Sequence, residues 1–256
     1  MKSEDQMLTK TFCHIDGITI NTEMALWSKG ISDWDSFLLQ HNKIDFLPRS
    51  KVARILDALP ASREALSRRD MAYFKQGLPG KEHWRLVDLG PIAYVDIETT
   101  GISRYDNDIT LIGIYDGTTT YSYIRGDNLP QAHAKLQEFD ILVTFNGKQF
   151  DLPFIESHFG CTYSAAHLDL RYMLREIGLQ GGLKSIERQL GIDRGDDLAG
   201  VDGFEAVRLW QRHCRGDLTA LAKLVKYNRE DVVNLKALLT HYLSAKRHRL
   251  PSGLSL

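Results

Sequence analysis

The sequence predicts an α/β fold, a mixed β-sheet flanked by helices, preceded by a small helical region. Three β-rich runs separated by turn residues follow Pro91: IAYVDIETT, DITLIGIYDG and TTTYSYIRG. Strand and helix signals then alternate, and a long stretch near the end carries one apolar stripe at helical period. An antiparallel meander followed by strand and helix alternation yields a sheet of both orientations with helices on its faces, and excludes a purely antiparallel sandwich.

The elements follow in order. From Thr9 to about Leu39, two Gly-Ile dipeptides flank a run of helical period, which predicts a helix, turn, helix unit with Trp27 and Trp34 as its small core. His41 to Asp88 is charged and helical in pattern, and the Pro79-Gly80 pair marks a boundary. These signals divide the chain into a helical region at 1–88 (the unit at 9–39 plus a helical connector), a main domain at 89–245 and a basic, polar tail at 246–256 that opens with Lys246-Arg247-His248-Arg249. Within the main domain, the meander leads to a helix from Gln131 to Glu138 and a strand ILVTFNG. A helix opening at Pro153, a short strand from His167 to Leu170 and then mostly helix complete it. A length of 256 residues suffices for one such domain with a smaller appendage.

Composition narrows the function classes. Hydrophobic content of 43% and charged content of 25% are those of a soluble globular chain, and no apolar run reaches bilayer-spanning length. The polar stretch Met1 to Lys10 lacks the pattern of a secretory signal, so a cytoplasmic address is expected. Cys13, Cys161 and Cys214 are scattered and share no C-x-x-C spacing, which argues for free thiols and against a zinc site or disulfide framework. A net charge of −1 exerts no global pull on a polyanion, so any nucleic-acid function must rest on local motifs.

The first motif is Asp96-Ile97-Glu98, at the end of an apolar strand. Residues two apart on a strand project from one face, so the two carboxylates converge. Either they lie solvated at a strand end, or a divalent cation relieves their repulsion. The second motif is Asn146-Gly147-Lys148-Gln149-Phe150-Asp151, where a strand ends and a helix begins. Asp151 either caps that helix or faces the first pair, and Pro153 as first helical residue, with Leu152 as cap, would place Asp151 one position too early for a cap.

The third motif lies in LTALAKLVKYNREDVVNLKALLTHYL, where Leu221, Leu224, Val225, Val232, Leu235, Leu238, Leu239 and Tyr242 draw one stripe. Asp231 falls inside the stripe and Tyr227 at its edge, one turn earlier. A carboxylate facing the core needs compensation, from a buried arginine or from a bound metal. Asp169 is read as organising the helix that follows it. Gly181-Gly182-Leu183-Lys184-Ser185 lacks phosphate-loop spacing and reads as a helix start, where Lys184 could hold a phosphate.

In this order the three motifs resemble those of DEDD exonucleases, in the subclass with tyrosine. The run Tyr227-Asn228-Arg229-Glu230-Asp231-Val232-Val233-Asn234-Leu235 is similar to the YprB-type ribonuclease-H-like family, over about Pro91 to Leu239. The resemblance implies a ribonuclease-H-like sheet and two Mg²⁺ or Mn²⁺ ions held by Asp96, Glu98, Asp151 and Asp231. It also implies a Tyr227 that orients the attacking water, and a 3′ to 5′ exonuclease acting on single-stranded DNA or RNA ends. Two ions about 4 Å apart supply both a hydroxide and neutralisation of the leaving oxygen. Thr99, Asn146, Lys148 and Lys184 are the candidate substrate contacts. A structure-selective endonuclease and a non-catalytic nucleic-acid-binding domain are the competing readings. Phe12 to Asn21 resembles a degenerate helix-hairpin-helix, in which Asp16 stands for the usual proline and Ile20 for the second glycine. That leaves either nucleic-acid binding or a packing or partner-docking role.

Overall fold

The computed structural model describes residues 6–192 and 203–248. The chain divides into two compact units, at Gly90/Pro91 and again at Ala245/Lys246.

The first unit holds α1 (Gln6–Thr9), α2 (Ile20–Ser28), α3 (Trp34–Gln40), α4 (Arg49–Ser67), α5 (Met71–Gly77) and a 3₁₀ helix at Gly80–Leu86. Side chains start three of them: Thr19 accepts from the Thr22 amide, Asp33 and Ser36 form a capping box, and Asp70 accepts from the Tyr73 amide. Phe12, Leu26, Trp34, Phe37 and Phe74 are buried in its core, with Trp27 beside them. The Trp27 and Trp34 indoles donate to the Lys10 and Thr11 carbonyls, at 3.0 and 2.8 Å. Arg85 is buried between Glu23 and Glu82, each at 2.8 Å. These contacts explain why Pro79-Gly80 is no boundary. The pair opens the 3₁₀ helix that carries Arg85, and the buried ion pair with Glu23 ties that helix to α2, so the division falls later, at Gly90.

The second unit is built on β1 (Ile92–Thr99), β2 (Ile109–Tyr115), β3 (Thr120–Ile124), β4 (Ile141–Thr144) and β5 (Ala166–Asp169), in the order β3-β2-β1-β4-β5. The meander β1–β2–β3 is antiparallel, and β4 and β5 add in parallel. This is the mixed sheet that the sequence predicts. Its helices are α6 (Gln131–Leu136), α7 (Asp151–Phe159), α8 (Leu170–Glu176), α9 (Leu183–Gln189), α10 (Gly203–Cys214) and α11 (Leu218–His248). One core gathers Val95, Ile97, Ile112, Ile114, Leu142 and Ile155, and a second gathers Leu111, Leu209, Trp210, Leu224 and Tyr227.

Helix α6 ends at Leu136 rather than at Glu138, β5 runs from Ala166 to Asp169 rather than from His167 to Leu170, and two further boundaries differ from the expectation. Helix α7 starts at Asp151 rather than at Pro153. The first turn of a helix makes no intrahelical N–H bonds, so a proline in third place removes nothing that the helix needs. Lys246 to His248 continue α11 instead of opening a tail, while Arg249 onward lies outside the described residues, as do Met1 to Asp5. All three cysteines are free. Among the described residues no helix is long and apolar enough to cross a membrane.

Candidate active site

Strand β1 outruns its parallel neighbour. The last β1–β4 partners are Tyr94 and Val143, yet β1 continues to Thr99, so the edge of its final residues is open to other elements. Helix α7 fills that edge: the Asp151 carboxylate, on its first residue, accepts from the Ile97 amide at 3.1 Å. An anion at a helix N-terminus is also favoured by the helix dipole. On the other side Asp96 pairs with Gly113 and Glu98 with Leu111, and the register shifts between Glu98 and Thr99. Such a bulge bends the strand where its acids emerge.

Helix α11 closes the site. Tyr227, Asn228 and Asp231 lie on one helical face and all are buried. Ligand oxygens of Asp96, Glu98 and Asp231 lie within 4.8 Å of one another. Asp151 stands outside that close trio but lines the same cavity, about 690 Å³, together with Tyr227, Thr99 and Asn146. Phe145, Phe150, Ile102, Phe204 and Val207 form its apolar wall, with Ile102 and Phe204 largely exposed.

The electrostatics follow from this crowding. Burial, and then the Asp231 and Asp151 carboxylates, push the Glu98 carboxyl well above its ordinary range, against the opposing pull of Lys184 and a hydrogen bond from Asn228. Burial likewise pushes Asp151 up to about 7, with Asp169 and Asp231 adding to it, although its own amide and that of Ile97 oppose the rise. Glu98 Oε1 is buried with no hydrogen-bond partner. Buried carboxylate oxygens this close repel one another, and they are the kind of donor set that a hard divalent cation takes.

The other sequence candidates divide. Lys184 sits with its Nζ 4.8 Å from the centre of the Tyr227 ring. Thr99 lines the cavity while its hydroxyl donates to the Gly101 carbonyl at 2.6 Å. Asn146 has a left-handed backbone, φ 65°, and accepts from Arg171 at 2.7 Å, so it shapes the turn. Lys148 is exposed and does not line the cavity. Asp169 caps α8 as expected, and beyond that its two oxygens accept the amides of Asn146 and Lys148, at 2.8 and 3.0 Å. Sequence reasoning missed Asn228, whose Nδ2 donates to Asp96 Oδ2 at 2.9 Å. Its one signal is its place on the helical face shared by Tyr227 and Asp231.

Residues 93–243, more than half of the chain, match the family described as RNase_H superfamily. The chain belongs to the RNase_H superfamily. None of the curated proteins matches it in sequence. Among solved structures, this superfamily member is similar to the family B DNA polymerase of the hyperthermophilic archaeon Pyrobaculum calidifontis. The identity is 14% and the TM-score 0.48, over 61% of this chain and 24% of the polymerase. It is similar to a nuclease in its apo form, at 20% identity and TM-score 0.45, over 62% of this chain and 74% of that one. Brucella melitensis NrnC is similar at 20% identity and TM-score 0.43, over 61% and 75% of the two chains.

Proposed function

We infer that this RNase_H superfamily member is a metal-dependent nuclease, a 3′ to 5′ exonuclease of the DEDD type with tyrosine, acting on single-stranded DNA or RNA ends. One observation carries the reading: oxygens of Asp96, Glu98 and Asp231 within 4.8 Å, in a cavity that Asp151 and Tyr227 also line. The order and spacing of these residues, and the YprB-like run from Tyr227 to Leu235, support it.

Asp96, Glu98 and Asp231, with Asp151 beside them, would hold Mg²⁺ or Mn²⁺, two ions in this reading. Bound there, the metal supplies a hydroxide near neutral pH and offsets charge on the leaving oxygen. The chain's own groups do the rest. The Tyr227 hydroxyl orients the attacking water, and Lys184, held over the same ring, meets the scissile phosphate. Thr99 and Asn146 face the terminal nucleotide from the cavity wall. Ile102, Phe150 and Phe204 offer apolar surface to an unstacked base, which a paired duplex end would not present. Lys148, outside the cavity, is left a contact with the strand upstream.

The helix-hairpin-helix-like segment receives a packing role in this proposal. The Phe12 and Cys13 amides donate to buried Glu23 at 2.6 and 3.1 Å, and so are turned inward rather than toward a phosphate.

The test is a time course on 5′-labelled single-stranded DNA and RNA with Mg²⁺, Mn²⁺ or EDTA, comparing wild type with Asp151→Ala. A metal-dependent ladder shrinking from the 3′ end, lost in the variant, is the expected result. Internal cuts would transfer the site to an endonuclease, and intact substrate under every condition would leave a nucleic-acid-binding domain.

A further inference from the structure

A glycine stands in the middle of a buried strand, directly opposite an acid of the site. Gly113 is the β2 partner of Asp96. A Cβ placed on it would come within 1.9 Å of Asn228 Oδ1, 2.8 Å of Asn228 Cγ and 3.2 Å of Val232 Cγ1. The volume that any other residue would occupy is therefore filled by the Asn228 amide, arriving from α11. A glycine inside a strand commonly marks such a close approach.

Asn228 is fully buried. Its Nδ2 donates to the Asp96 carbonyl at 3.2 Å and to Asp96 Oδ2 at 2.9 Å. Its Oδ1, turned toward Gly113, has no hydrogen-bond partner. Burying an unsatisfied acceptor costs stability and calls for a reason. The chemistry of an amide supplies one. It orients the Asp96 carboxylate through N–H donors while adding no charge, whereas an ammonium or guanidinium in its place would neutralise the acids and displace any cation. A carboxylate there would add to the repulsion.

We propose that Asn228 is a positioning residue that holds Asp96 in place within a divalent-cation site formed with Glu98 and Asp231, and that Gly113 is glycine in order to admit it. The inference rests on the nuclease reading for the use of the ion, but its test reads ion binding alone. Residues that hold metal ligands in place typically change affinity about 10–100-fold when removed.

The experiment titrates the full chain with Mn²⁺, followed by electron paramagnetic resonance, well below the melting temperature of each variant. Asn228→Ala is expected to bind Mn²⁺ about 10–100-fold more weakly than wild type. Gly113→Ala, which keeps every ligand, is expected to weaken binding by displacing the amide, and to cost little more once Asn228 is alanine. Affinity within twofold of wild type in Asn228→Ala overturns the proposal. So does an equal cost of Gly113→Ala in both backgrounds, or a wild-type chain that takes up no Mn²⁺. If Asn228→Ala does not fold, Gly113→Ala decides alone: undiminished affinity refutes the role and weakened affinity supports it. A wild type that binds Mn²⁺ with these differences and cleaves nothing supports Asn228 while removing the nuclease reading.

Discussion

Replacing Asp151 with asparagine should stabilise the metal-free chain at about pH 8, and the gain should shrink as the pH falls. Burial and neighbouring acids raise this carboxyl from its ordinary 3.8 to about 7. Between those values the folded chain binds a proton that the unfolded chain has released. Stability is therefore present at acid pH and lost as the pH rises through about 7. At about 1.4 kcal/mol per pH unit, the interval from about pH 5.5 to 7 alone removes roughly 2 kcal/mol from the wild type. An asparagine in this place carries no proton to lose, and its side-chain carbonyl can still accept the Ile97 amide. For a unit of this size roughly 2 kcal/mol corresponds to about 4–8 °C in melting temperature. Circular dichroism melts in EDTA should therefore show Asp151→Asn gaining that much on wild type between about pH 5.5 and pH 8. Saturating Mg²⁺ should reverse the order at pH 8, because ion binding stabilises the chain that retains the ligand. Parallel pH curves for the two chains in EDTA would refute the reasoning, since they would mean that Asp151 ionises as freely folded as unfolded.

Three further outcomes are expected. Tyr227→Phe keeps the ring beneath Lys184, 4.8 Å away, and removes only the hydroxyl. It should lower kcat about a hundredfold while leaving Mn²⁺ affinity unchanged, and full turnover in saturating metal would end the assigned role. Gly147→Ala places a Cβ 2.2 Å from Thr144 Oγ1, the acceptor of the Gly147 amide. Urea unfolding should record a loss of about 1–3 kcal/mol. Asn234→Ala removes the donor that meets Glu187 Oε1 at 3.0 Å, in a pair where both residues are buried. A loss of about 1–3 kcal/mol is expected in the same assay, with α9 and its Lys184 less firmly held to α11.

Much of this architecture is legible in the sequence, because local patterns determine it. Strand alternation puts Asp96 and Glu98 on one face, and helical phase puts Asp231 among leucines, where the structure finds it buried. The start of α7 is less legible: Pro153 looks like a first helical residue, whereas a third-place proline is equally free of conflict with the helix. What stays hidden depends on contacts between distant segments. Asn228 reads as one polar residue in a helix until β1 and β2 are laid beside it, and Gly113 reads as a weak spot in a strand. Lys148, inside the second motif in sequence, lies outside a cavity that Phe204, far along the chain, helps to line.

The hydrogen bond from Asn228 to Asp96 joins residues 132 positions apart. Contacts of such separation form late, after the loops between them have closed. A chain cut off before Leu218 would retain β1 and the start of α7, hence Asp96, Glu98 and Asp151, but neither Tyr227, Asn228 nor Asp231. The acids proposed to hold a cation are therefore assembled only once α11 is in place. In the proposed reading α11 acts as a seal, and cleavage of a phosphodiester would await the docking of that helix.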